Sequence, residues 1–409
     1  MPEFYVTTSR RHCPEVCVRV ISLSIAAVLG ALLALCLAAP FAVAAGSAQG
    51  NKHIEFVFAL EDAVTAGRGE FFDERVDVEA ILTEAMKGFK PSEKFRGGFG
   101  EGFKRGLAKS PWSQRFFPGG GGSYRFLRFR NPGAAPTALF RLIDSSGGLN
   151  YHELYLVEDS SGKIRIADIY VAAIGERISE SVRRIVTPMI YEDNKSSFEK
   201  LAGKESEFIK HLGPITKMFD ETKLGNFKAA LDIHDGLPVE LRDEKNFLMH
   251  RLRLLIALED SEGYGSTVER FMKLYPEDPA LDVLLLDYYW TKGMYADAVK
   301  CAERLDASLG GDPYLSLVKG KIYYDAGDKV KSRADASRAL QNDMYLEDAY
   351  WFLITLSLEE KDYKETKRLL LSIERNLGIE MKDLKDIEVY SGFVKSREHK
   401  EWLKERGAK

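Results

Sequence analysis

Apolar residues in the second half of the chain recur at helical spacing. Leu281, Leu284, Leu285 and Tyr288 stand at i, i+3, i+4 and i+7, which places them on one face of an amphipathic helix. A glycine follows that helix, a tyrosine opens the next, and the arrangement repeats. Gly293, Tyr295 and Ala298 are echoed by Gly327, Lys329 and Ser332, and again by Lys361, Tyr363 and Thr366, each set 34 positions after the last. An earlier copy, Gly225, Phe227 and Ala230, lies two periods before Gly293. Between them a degenerate unit runs from about Asn246 to Pro279, with Phe247, Leu254, Leu258, Phe271 and Tyr275 as apolar positions. A fixed period of this length marks a repeat array, in which neither helix buries its apolar face alone and neighbours must stack. Asp278 with Pro279 and Asp312 with Pro313 start first helices, Pro standing where its missing N–H costs nothing. Leu384 to Leu403 is amphipathic and charged and reads as a terminal cap.

The repeat resembles the tetratricopeptide repeat family, whose unit is a 34-residue helix–turn–helix. The resemblance covers nearly half of the chain, residues 211–405; Lys329 and Lys361 stand where the family has an aromatic residue and a glycine. It implies an all-α solenoid whose first helices line a concave groove. With Pro279, Pro313 and Glu347 as first positions, the second, fifth, ninth and twelfth places face that groove. They are Ala280, Val283, Asp287 and Trp290 in one unit, Tyr314, Leu317, Lys321 and Tyr324 in the next, and Asp348, Trp351, Thr355 and Leu358 in the third. Trp290, Tyr314, Tyr324 and Trp351 then form an aromatic stripe flanked by Asp287 and Lys321, suited to anchor a peptide or partner helix. The alternative is that each ring packs between repeats as ordinary core.

Residues 51–185 have a different texture. His53 to Thr65 and Val78 to Phe89 carry helical patterns, separated by a break at Ala66 to Gly69. A stretch rich in Gly and Phe follows, Phe95 to Gly106, then a glycine joint at Pro118 to Gly122. Four strand signals come next: Tyr124 to Arg130, Thr137 to Asp144, Asn150 to Glu158 and Lys163 to Ala173. The later runs are joined by tight turns, Ser145 to Gly148 and Asp159 to Gly162, which predicts an antiparallel meander. Helices followed by a meander make an α+β domain. That order, with the alternating run Lys163 to Val171, resembles the nuclear-transport-factor-two-like fold, which implies a cone-shaped pocket; a cystatin-like sheet without a pocket reads the same way. His152 and Asp168, on neighbouring predicted strands, are the candidate pocket residues, as a base with its orienting acid or as a strand-edge histidine and a solvated aspartate. Residues 186–210 read as a linker, helical or polar.

The N-terminus has the plan of an export leader. Arg10, Arg11 and Arg19 precede an apolar run from Val20 to Ala39, and a small-x-small site ends at Ala44. Residues 1–44 are expected to be a cleaved signal peptide, with an uncleaved anchor over residues 20–39 as the alternative. Either places the body outside the cytoplasm, periplasmic or secreted, or held at the inner membrane. Cysteine use agrees: of four, Cys13, Cys17 and Cys36 lie in the leader, leaving Cys301 with no internal disulfide partner. The chain is 409 residues long, 45% hydrophobic and 29% charged, a balance that argues against disorder. A net charge of -4 gives no reason to expect nucleic-acid binding, which needs clustered Lys and Arg. No phosphate loop, nucleophile elbow or metal-ligand spacing occurs, and the Gly98, Gly100, Gly102 rhythm follows no strand, so no cofactor, metal or catalytic residue is expected. The function expected is a non-enzymatic, exported scaffold that binds a protein or peptide in the repeat groove. The other expectations are a ligand-binding or catalytic pocket in the N-terminal domain with the repeats as docking arm, and a membrane-anchored spacer.

Overall fold

The computed structural model describes residues 48–117, 122–131, 135–144, 148–193, 207–208, 210–379, 381 and 384–407. The leader over residues 1–44, most of the glycine joint, the turn at 145–147 and most of the linker at 194–206 lie outside the described residues. The chain forms two compact units, one over residues 52–308 and one from residue 309 onward.

The first unit opens with helices α1 (Ala48–Thr65), α2 (Glu70–Arg75), α3 (Val78–Ala85), α4 (Glu93–Lys109) and α5 (Trp112–Phe116). The sheet follows: β1 (Ser123–Arg130), β2 (Thr137–Ile143), β3 (Leu149–Glu158), β4 (Ile164–Val171) and β5 (Glu176–Arg177), antiparallel and in sequence order. This is the meander that the strand signals predict. Tyr124, Phe140, Leu154 and Ile169 on one sheet face join Leu60, Phe72, Ile81 and Trp112 of the helices in a single core. Burying each such side chain contributes about 1.5–3 kcal/mol. Helix α6 (Ile178–Asp193) runs through residue 186, where the sequence reading ends the domain, and its Val186 and Ile190 bury themselves with Met86.

Helix α4 occupies the stretch rich in Gly and Phe. Each Gly weakens a helix by about 0.8–1.0 kcal/mol relative to Ala, so local preference argues against it. Tertiary packing wins. Phe95, Phe99 and Phe103 stand one turn apart and stack at 6.0 and 6.2 Å; Trp112 and Phe116 continue the ladder at 6.1 and 5.9 Å. Ser92 caps the helix, accepting from the Phe95 N–H at 3.1 Å.

The remainder of the first unit is helical: α7 (Leu212–Lys223) with α8 (Phe227–Asp235), the short α9 (Val239–Arg242), α10 (Lys245–Ala257) with α11 (Ser261–Leu274), and α12 (Leu281–Thr291) with α13 (Tyr295–Leu309). The second unit contains α14 (Pro313–Asp325) with α15 (Lys329–Asn342), and α16 (Glu347–Glu359) with α17 (Tyr363–Leu377). A cap of α18 (Ser391–Val394) and α19 (Arg397–Gly407) buries Phe393 and Trp402. The second helices begin at Phe227, Ser261, Tyr295, Lys329 and Tyr363, each 34 residues after the last. The unit that looks degenerate in sequence is therefore in register.

The turn inside each pair explains the period. Gly225, Glu259, Gly293, Gly327 and Lys361 all have positive φ, from 55° to 81°. At each of them the next residue's N–H reaches back to close the helix end, as Asp328 does to the Tyr323 carbonyl at 2.8 Å and Asp362 to that of Ser357 at 2.8 Å. Asp260, Asp328 and Asp362 then cap the second helix with their side chains. At the fourth position of the second helix, Ala298, Ser332 and Thr366 are fully buried, small enough for the paired helices to approach closely. Tyr264 takes that place in the degenerate unit. The fold class is α+β followed by an all-α solenoid of tetratricopeptide type.

Candidate functional site

His152 and Asp168 do not pair. The cause is a bulge in β4. Leu156 faces Ile166 across the ladder, but Tyr155 faces Asp168, so Ala167 is the extra residue. One inserted residue reverses the alternation: Ile164 and Ile166 point to the core before it, Ile169 and Val171 after it. Asp168 thereby falls on the face opposite His152. It accepts from the Ile169 N–H at 2.9 Å, the Ser179 N–H at 3.1 Å and the Ser179 hydroxyl, and so tethers the first turn of α6. Burial pushes its carboxyl up, opposed by those donors. His152 is fully buried on the inner face. Its Nδ1 lies 3.4 Å from the Tyr124 hydroxyl and its Nε2 3.4 Å from Asn150 Nδ2, with Phe116 edge-on at 5.0 Å. Burial lowers its pKa to about 3, which leaves the imidazole neutral at physiological pH. The two side chains are not placed as a base with its orienting acid.

A cavity of about 720 Å³ opens beside His152, within the first unit. Trp112 and Phe116 of α5, Ile178 of α6, Phe219 of α7 and Phe247 of α10 line it. No short motif could have announced it, since its walls come from segments more than 100 positions apart; the only local signal is the aromatic ladder of α4 and α5.

The turn after β4 meets the repeat helices nearby. Lys245 Nζ donates to the Gly175 carbonyl at 3.1 Å and pairs with Asp278 at 2.6 Å. A Cβ on Gly175, whose φ is +62°, would lie 2.6 Å from Lys245 Nζ and 3.0 Å from the Ala280 Cβ. The first expected groove position, Ala280, is thus covered by the chain's own α+β domain.

The six expected groove residues divide by environment. In the first unit Trp290 is 7% exposed and Asp287 is 7% exposed, its carboxylate 3.4 Å from the Tyr264 hydroxyl. In the second unit Tyr314 is 2% exposed. All three are buried, so their side chains do not present an open face. Lys321, Tyr324 and Trp351 are half-buried. Lys321 lies over the Tyr314 ring at 5.7 Å, the Tyr324 hydroxyl donates to Glu359, and Trp351 Nε1 donates to Glu347 at 2.8 Å. Half-exposed Leu358 lies on the same helix as Trp351, with exposed Asp348 at its start.

No family model matches the chain, and no curated protein matches it in sequence. Among solved structures, a tetratricopeptide repeat protein from Parabacteroides merdae matches 53% of this chain and 84% of its own, at 14% identity and a TM-score of 0.31. The repeat assignment rests instead on the 34-residue recurrence of left-handed turns and helix starts described above. Among the described residues no group of His, Cys, Asp and Glu is arranged to hold a metal, and no helix is long and apolar enough to cross a membrane. The apolar run over residues 20–39 lies outside that description.

Proposed function

We propose that this chain is a non-enzymatic interaction scaffold whose helical repeats hold a protein or peptide partner. The observation that carries the reading is the face of α14 and α16, where Lys321, Tyr324 and Trp351 remain half-exposed while equivalent positions of the preceding repeat are buried. Rings of this kind, each already oriented by a hydrogen bond to a neighbouring carboxylate, lose little freedom on binding and make effective anchors. The occupant is an amphipathic helix or extended peptide carrying a basic group, which Asp348 and Glu347 would meet at one end of the stripe. Export belongs to the same reading: the basic flank, apolar run and small-residue site of residues 1–44 support delivery to the periplasm or beyond, with retention as an anchor if the site is not cut. The nuclear-transport-factor-two-like resemblance is carried as part of it, supported by the order of helices and meander.

Affinity capture from envelope extract tests the proposal. The full chain is expected to retain a partner that the Tyr324→Ala, Trp351→Ala double variant loses by about tenfold or more, with equal helicity by circular dichroism. Equal retention by both chains would remove the α14–α16 face as the working surface.

A further inference from the structure

We infer that the cavity between the inner end of the sheet and helices α7 and α10 is a binding site for an amphipathic anion, a medium-chain carboxylate with its chain in the apolar interior. Three observations carry this beyond the scaffold reading. The first is size: about 720 Å³ lies in the range of sites that enclose a small organic ligand. The second is the lining. Trp112, Phe116, Ile174, Ile178, Phe219 and Phe247 supply apolar and aromatic surface from five different segments. Ile185, on α6 at the same cavity, is 48% exposed, an apolar side chain left open to a ligand.

The third observation is charge. Lys109, Arg115, Arg184, Lys223, Lys245 and Arg253 line the cavity, against one carboxylate, Glu176, among the described lining residues. Glu176 is already taken by Arg184 and the Ser181 hydroxyl. Lys245 is answered by Asp278 just outside. Lys223 has only an exposed pair with Asp220 at 3.7 Å, a weak interaction that is easily exchanged. A positive wall around an apolar interior selects a ligand with a chain and a negative head, and disfavours a cation of the same length. The two lining histidines do not supply the charge: burial lowers both His152 and His250 to about 3. The field comes from Lys and Arg and persists through neutral pH.

The test uses the full chain in detergent-free buffer, titrated by calorimetry with dodecanoate, dodecanol and dodecyltrimethylammonium. Dodecanoate is expected to bind saturably at one site per chain, more tightly than dodecanol, with the cation not competing. The Lys109→Glu, Lys223→Glu variant changes two exposed side chains and is expected to keep the fold while weakening dodecanoate about tenfold and leaving dodecanol unchanged. Ile185→Glu should weaken both neutral and anionic chains. Absence of saturable dodecanoate binding would overturn the site. Equal affinity for dodecanoate and dodecanol, or no response to the charge reversal, would overturn the anion assignment.

Discussion

Asp287 sits on a first helix with one carboxylate oxygen 3.4 Å from the Tyr264 hydroxyl and the other without a hydrogen-bond partner. Burial raises its pKa to about 7 from the ordinary value of 3.8. The folded chain therefore holds a proton on Asp287, between those two values, that the unfolded chain has released. The stability linked to that proton is fully present below pH 4 and is lost as pH rises through 7. Replacing Asp287 with Asn keeps the shape and removes the ionisation. Asp287→Asn is expected to melt several degrees higher than the parent at pH 8, with the gap closing near pH 4 in a calorimetric series. A gap independent of pH would mean that Asp287 is not the titrating group. Tyr264 accounts for this geometry, since it stands where other repeats carry a small residue and brings its hydroxyl to the next helix.

The helix pair is the element that defines the repeat, and its turn is where backbone conformation decides stability. Gly293 and Gly327 have open space around a would-be Cβ, so it is φ and not crowding that calls for glycine there. Lys361 adopts the same conformation at φ 57° without that freedom. A left-handed L-residue costs about 1–2 kcal/mol, partly offset by the greater unfolded entropy of glycine. Lys361→Gly is accordingly expected to stabilise by about 0.5–1 kcal/mol and Gly293→Ala to destabilise by about 1 kcal/mol, both read from urea midpoints at constant slope. If Lys361→Gly lowers the midpoint, side-chain contacts of Lys361 outweigh its backbone strain. The same scale shows what was legible: the 34-residue spacing of turns stands in the sequence, and Lys361 is identifiable there as a departure from glycine. Glu259 is not, because its neighbours lack the motif. The bulge at Ala167 leaves no sequence signature either; it emerges only from the pairing of β3 with β4.

At the scale of the molecule, the first unit joins an α+β domain to repeat helices through the turn at Gly175. The left-handed φ and the nearness of Lys245, Asp278 and Ala280 leave no room for a side chain. Gly175→Val is expected to destabilise by about 2–4 kcal/mol, breaking the Lys245–Asp278 pair. Faster hydrogen exchange should be confined at first to residues 172–175 and 278–284. Uniform acceleration through the whole sheet would show that the turn is part of the sheet's own core instead.

Sequence by itself determined the kinds of element and their order: helices, then a meander, then helix pairs with a 34-residue period. Apolar spacing and turn residues act locally, over the few positions that one element spans, so they can be read from the chain. Sequence could not determine what lies against a given face. Trp290 and Tyr324 occupy the same position of successive repeats, yet one is core and the other half-exposed. Val283, Leu317 and Trp351 share another position and differ in the same way. His152 and Asp168 stand on adjacent strands, but one bulged residue sends them to opposite faces. Burial depends on partners that arrive from distant parts of the chain, and only the tertiary structure decides which they are.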